Sequence, residues 1–241
     1  MRRRDGNTLL FVGDKSVLNP SLLFQFASHW AENGIRVSYL SAMPLNELPT
    51  PIHGAGFPSP TALNQIQLLY LPKWHDLLQH LLSLHCHAHV PRAIIVNGLN
   101  HYCPTSSGQI STNDRSASDT SVIARICASL LDALNVCSIR NDDAETYCVC
   151  SVEMDNEIEN NSISYLATFN IFFSNIWIME SVTRHCCRGS NTRYCSSSGK
   201  CLMVKIKKLL TSGLKEEGDT LEFCSRDCVL FLQKFTKILQ S

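Results

Sequence analysis

Charge is scarce in this sequence. Only 17% of its 241 residues are Asp, Glu, Lys or Arg, and the two signs cancel at 21 each. A net charge of zero gives no whole-chain argument for nucleic acid, a membrane surface or an acidic partner. Long apolar runs are missing as well. The longest, Tyr165 to Met179, is interrupted by Asn170, Ser174 and Asn175 and falls short of the ~20 residues a bilayer span needs. No membrane association is expected. Met1-Arg2-Arg3-Arg4 leads into only a short apolar run before Gly13, which is not a secretory signal. The 12 cysteines stay below the ~8–10% of a small disulfide scaffold. Reduced thiols in an intracellular protein are therefore expected. No Gly-x-Ser-x-Gly elbow and no convincing Cys–His pair is present, so no catalytic residue is assigned.

What is present is apolar material, 44% of the chain, enough for a core and against general disorder. Thr8 to Val12 reads as a buried strand ending at Gly13. Asn19-Pro20 pairs a favoured N-cap with a favoured first helical residue. Leu22, Leu23, Phe26, Ala27 and Trp30 then fall on one helical face, and Gly34 sits where a helix ends. Ile35 to Leu40 is the next strand. Five prolines and two glycines between Ser41 and Pro60 mark a loop. Gln65 to Leu71 reads as a strand, Trp74 to Leu82 as a helix, and Ala93 to Val96 as another buried strand. Ser106 to Ser118 reads as a loop, and Val122 to Leu134 as a helix capped at Asp119. Tyr147 to Val152 and Ser164 to Glu180 read as strands, as do Cys201 to Ile206 and Thr220 to Phe223. Val229 to Leu239 reads as a terminal helix. The alternation predicts an α/β fold, a mostly parallel sheet with helices on both faces. The sheet is expected to be short, of five strands. Residues 1–180 form the core, and 181–241 a basic, cysteine-rich extension of the same domain.

A strand running through Gly13 into a helix is where a phosphate-binding loop belongs. That chemistry needs glycines, a lysine for the β/γ-phosphates and a hydroxyl for Mg²⁺. Counting from Gly13 gives Asp14, Lys15, Ser16, Val17, Leu18, Asn19 and Pro20. Leu18 replaces the second glycine, Asn19 the lysine and Pro20 the hydroxyl. Asp14 would repel phosphate, and Lys15 lies too early in the register. The strand 93–96 should end in a metal-holding aspartate but ends in Asn97, with Asn100 and His101 where a water-activating carboxylate would stand. The nucleotide site, Gly13 to Ser16 with Asn19, Pro20 and Asn97, reads as degenerate. No cofactor and no metal is expected.

The balanced charge is segregated. Asp142 to Asn160 carries seven acids and no base, whereas Ser181 to Lys215 carries eight bases and no acid. Arg184, Arg188, Arg193, Lys200, Lys205, Lys207 and Lys208 are the candidates for a sequence-independent contact with a nucleic-acid backbone. Tyr194 is the segment's one aromatic, so base stacking there would be weak.

Several stretches resemble one group of RecA-like recombinase paralogues. They are Gly13 with Leu22-Leu23-Phe24, Met43-Pro44, Ile66-Gln67-Leu68-Leu69-Tyr70 with Pro72, Gly98-Leu99-x-x-Tyr102, and Phe172-Phe173-x-x-x-x-Trp177. The group is the ATPase-like protein associated with the SWIM-type zinc-finger protein of the animal Shu complex. The resemblance covers residues 8–180. It implies a RecA-like P-loop NTPase-type core, a SWIM-domain partner, single-stranded DNA binding, contact with the recombinase filament, and a nuclear role in homologous-recombination repair. Members of the group commonly keep the lysine and aspartate replaced here by Asn19 and Asn97, so little or no ATPase activity is expected.

Two alternatives remain. One is an active DNA-dependent ATPase of the same complex, using Lys15 and an acid from elsewhere. The other is a zinc-binding interaction protein. Cys224-x-x-x-Cys228 has ligand spacing, Cys186, Cys187, Cys195 or Cys201 would have to complete the set, and His85-Cys86-His87-x-His89 is a second cluster. Phe24-x-x-Ala27 has the form of a recombinase protomer-binding motif, but both residues fit the apolar helix face and read as core.

Overall fold

A computed structural model describes residues 7–13, 20–49, 52, 55–102, 112–153, 159–185, 200–209, 217–226 and 229–237. The first half alternates strand and helix as the pattern predicts. Strand β1 (Asn7–Gly13) is followed by helix α1 (Pro20–Glu32), β2 (Val37–Ser41), α2 (Pro60–Leu63), β3 (Ile66–Tyr70), α3 (Trp74–Ser83) and β4 (Ala93–Asn97). Then come α4 (Thr112–Arg140), β5 (Tyr147–Glu153), α5 (Glu159–Phe172) and four strands, β6 (Asn175–His185), β7 (Lys200–Leu209), β8 (Glu217–Arg226) and β9 (Val229–Thr236). Local chemistry sets the ends. Ser59 accepts the Ala62 N–H at 3.2 Å to cap α2, and Gly34 takes φ +73° just beyond α1, a conformation only glycine adopts freely.

All nine strands form one sheet in the order β3-β2-β4-β5-β1-β6-β7-β8-β9. From β3 to β6 the pairings are parallel, and from β6 to β9 antiparallel. The sheet thus has nine strands, not five, and six of them are parallel, β6 joining β1 with Leu10 opposite Ile176. The 180/181 boundary falls inside β6, and the segment beyond it continues the same sheet. Every strand of the parallel part needs a crossover, which is why helices cover both faces.

Helix α1 packs on one face, with Phe24 and Ala27 buried at 3% and 0% exposure beside Phe11, Tyr39 and Ile95. Phe24-x-x-Ala27 is therefore core. Helices α3, α4 and α5 cover the other face over Leu10, Val96 and Cys150. Ser121–Arg140 within α4 is long and apolar enough to cross a membrane by length and composition, unlike Tyr165–Met179. Its stripe of Ile123, Ile126, Leu130, Leu134 and Cys137 is spent on the sheet, as in a core helix of 3.6-residue period. Buried Cys137 behaves as a small apolar group, its thiol pushed up to about 11 by burial, against a smaller opposing effect of Arg140.

Three elements differ from expectation. Ser164 to Glu180 is not all strand: α5 runs to Phe172, and only from Asn175 is the chain extended. Phe169 and Phe173, four apart, stack edge-on at 6.1 Å on the buried side, whereas Ile171 is 74% exposed. Residues 229–236 are a strand, not a helix, because β8 supplies a hydrogen-bonded edge for them. Finally, α4 begins at Thr112, inside the polar stretch expected to be loop.

At the end of α3 the buried His80 Nε2 has no hydrogen-bond partner, and the ring lies 5.5 Å from that of His87. Burial first, and His87 second, lower the His80 pKa below 6.5. The unfolded chain therefore takes up this proton before the folded one does. The contribution is present above the unfolded pKa of 6.5 and is lost as pH falls towards the folded value. Urea midpoints at about pH 7.5 and about pH 5.5 should differ less in His80→Gln than in the wild-type chain.

Candidate functional site

In open α/β sheets ligands bind beyond the carboxyl ends of the central strands. Here those ends belong to β1, β5 and β4, which lie side by side. They bring Gly13, Glu153 and Asn97 to one rim, with Gly13 directly opposite Glu153. Pro20 opens α1 as expected. Asp14, Lys15, Ser16 and Asn19 lie outside the described residues.

Gly13 is a glycine for a reason unconnected with phosphate. A Cβ there would stand 2.8 Å from the Met179 carbonyl oxygen on β6, inside any tolerable contact. The neighbouring strand demands the missing side chain.

Asn97 is tied into the protein. Ser151 Oγ donates to Asn97 Oδ1 at 3.2 Å and accepts the Gly98 N–H at 2.9 Å. Gly98 has φ +72°, and a Cβ on it would meet the His101 ring at 2.4 Å. The 3₁₀ turn Leu99–Tyr102 folds over it, with the His101 N–H on the Gly98 carbonyl. Asn100 Oδ1 accepts the Glu153 N–H at 2.9 Å, and His101 Nε2 lies 3.5 Å from a Glu153 carboxylate oxygen. The strand end is thus a closed network of hydrogen bonds. Replacing Ser151 with alanine would leave the buried Gly98 N–H without an acceptor. The expected loss is about 2 kcal/mol, read from the urea midpoint.

Glu153 and Ser151 escaped the sequence reading. A search for an acid just beyond Asn97 misses one contributed by the adjacent strand. The signal available was that 147–152 is a buried strand ending in a carboxylate. Among the described residues at this rim are a carboxylate, an imidazole and two amides, with no lysine or arginine in their hydrogen-bond network.

The basic candidates are divided between the sheet's faces. Directly opposed residues share a face. Lys205 stands opposite Glu180 and Lys207 opposite Ile178, on one side. Lys208 stands opposite Trp177, on the other, while Arg184 on β6 and Lys200 on β7 are in backbone register with Cys201 and His185. Lys207 is also paired with Glu180 at 3.0 Å. Arg188 and Arg193 lie outside the described residues. So Lys205, Lys207 and Lys208, the bases whose side chains are described, do not form a single stripe. Of the cysteines considered for zinc, Cys224 is buried in β8, and Cys186, Cys187, Cys195 and Cys228 lie outside the described residues. Among the described residues no group of three or more His, Cys, Asp or Glu is arranged to hold a metal.

No protein-family model matches this chain, and no curated protein matches it. Solved structures do. It has a distant structural relationship to proteins with the RecA-like P-loop NTPase fold, and its α/β architecture, a mixed parallel/antiparallel sheet flanked by helices, is of that type. The flagellar accessory protein FlaH from Methanocaldococcus jannaschii is similar with a TM-score of 0.54 at 10% identity, over 95% of this chain and 90% of that one. A DnaB-like replicative helicase is similar with a TM-score of 0.52 at 11% identity, over 93% of this chain and 58% of the helicase. At such identities the likeness establishes the fold alone.

Proposed function

We propose that this chain is a RecA-like subunit that works by binding rather than by turning over ATP. The observation that carries this reading is the Asn97–Ser151–Gly98 network. The position that should present a charge to Mg²⁺ presents an amide whose oxygen is already engaged by Ser151. Asn19, in place of the phosphate-binding lysine, points the same way, as does the packing reason for Gly13. The old nucleotide rim then serves to hold β1, β5 and β4 together.

The resemblance supplies the finer reading. The chain pairs with a SWIM-type zinc-finger protein, binds single-stranded DNA, and engages the recombinase filament in homologous-recombination repair in the nucleus. The DNA contact is sequence-independent and draws on bases of the 184–208 segment. Lys208 lies on one sheet face and Lys205 and Lys207 on the other, so the contact wraps an edge or uses part of the set.

Co-expression with the SWIM-domain protein of the same organism, followed by size exclusion, tests this. A stable complex is the expected result. A lone monomer that fails to associate would overturn the partner assignment and leave only the fold.

Glu153 gives the competing ATPase reading its one structural support, since a carboxylate does stand beside Gly13. Isothermal titration with Mg²⁺-ATP separates the two. Micromolar binding abolished by Lys15→Ala would establish the ATPase-type site; absence of binding is the outcome the network predicts.

A further inference from the structure

One face of the antiparallel strands carries a row of charges that alternate in sign. Glu180 on β6 stands opposite Lys205 on β7, Lys205 opposite Glu222 on β8, and Glu222 opposite Lys234 on β9. Opposed residues of this kind have Cβ atoms ~5 Å apart, and opposite charges there are favourable. Lys205 and Glu222 each have an opposite charge on both sides. Lys234 has one on a single side only, because β9 ends the sheet and no strand lies beyond it among the described residues.

The other face of β9 is apolar and open. Leu232 stands opposite Phe223 and Phe235 opposite Leu221. Phe223 is only 7% exposed, yet Leu232 is 36% and Phe235 54% exposed. The edge therefore offers three things together: a base on one face, apolar side chains on the other, and the outer side of an end strand beyond which no strand lies among the described residues.

We propose that β9 is a docking edge that takes an extended segment of a partner protein as a tenth strand. That segment carries an acidic residue in register with Lys234, which continues the alternation, and apolar side chains on its other face against Leu232 and Phe235. Main-chain pairing supplies the affinity in strand addition and alternate side chains the specificity. A lysine on an edge ordinarily discourages pairing. Here it discourages the wrong partner. A second β9 is excluded as occupant by its composition: Val229 to Thr236 contains no acidic residue, so it offers Lys234 nothing in any register. This edge is separate from the Asn97 rim, and its test is independent of the ATP question.

The test uses the full chain and two labelled synthetic peptides, one alternating valine with glutamate and one alternating valine with lysine, read by fluorescence anisotropy. The glutamate peptide should bind about fivefold more tightly, the combined effect of one attraction gained and one repulsion avoided. Lys234→Gln should equalise the two peptides, and Lys234→Glu should reverse the order. Phe235→Ser should weaken both. Equal binding of the two peptides to the wild-type chain, no binding of either, or an unchanged preference in Lys234→Glu would overturn the proposal. So would sedimentation showing that the wild-type chain dimerises and Phe235→Ser does not, which would make a second copy the occupant.

Discussion

Phe169→Ala should cost about 4 kcal/mol, while Ile171→Ala, two residues on, should cost less than about 0.5 kcal/mol. The contrast follows from the period of α5. Phe169 is 1% exposed and Ile171 74% exposed, because a helix turns residues two apart to nearly opposite sides. In a strand the same two residues would share a face and respond alike. Phe169 packs in the core that α4 and the sheet share, edge-on to Phe173, so its removal leaves a ring-sized void between layers. Urea denaturation of the two variants is sufficient. Equal losses would mean that Ser164 to Phe173 is extended after all.

The second large effect is expected at Gly13. Alanine there puts a Cβ 2.8 Å from the Met179 carbonyl oxygen. That atom belongs to the main chain of β6, so relief requires the two strands to part. A loss of about 3 kcal/mol is expected, with no dependence on added nucleotide. Thermal denaturation with and without Mg²⁺-ATP reads both. If nucleotide stabilised the wild-type chain and not the variant, Gly13 would have a phosphate-binding duty in addition to its packing one.

The parallel half of the fold is written plainly in the sequence. β1, β2, β4 and β5 are short apolar runs set between punctuated helices, and burial on both faces leaves no room for polar interruption. The Asn19-Pro20 helix start was equally plain in its effect, since α1 begins at Pro20. α5 was not legible. Tyr165, Thr168, Phe169, Ile171, Phe172 and Phe173 are aromatic or β-branched residues of high strand propensity, and only packing against α4 makes the segment helical. β9 misleads in the opposite direction. Phe231, Leu232, Phe235, Ile238 and Leu239 can be laid along a helix face, and it takes the free edge of β8 to choose the strand.

The candidate site was half legible. The losses at Asn19 and Asn97 are visible as letters in a known spacing. Ser151 and Glu153 are not, because they reach the rim through strand order. Sequence places β5 after β4, but says nothing of its lying between β4 and β1. The alternating charges of β6 to β9 depend on cross-strand register in the same way. A segment counted as uniformly basic therefore contains a lysine already paired with Glu180.

The strand order also dictates the order in which the molecule can be completed. β1 is made first, yet both of its neighbours come from far downstream: Leu10 waits for Cys150 on one side and Ile176 on the other. An emerging chain thus carries Leu9-Leu10-Phe11-Val12 with neither edge covered until β5 and then β6 have been made. β7, β8 and β9, by contrast, each follow directly on the strand they pair with. On the ribosome the sheet's centre closes late and its far edge almost as soon as it appears.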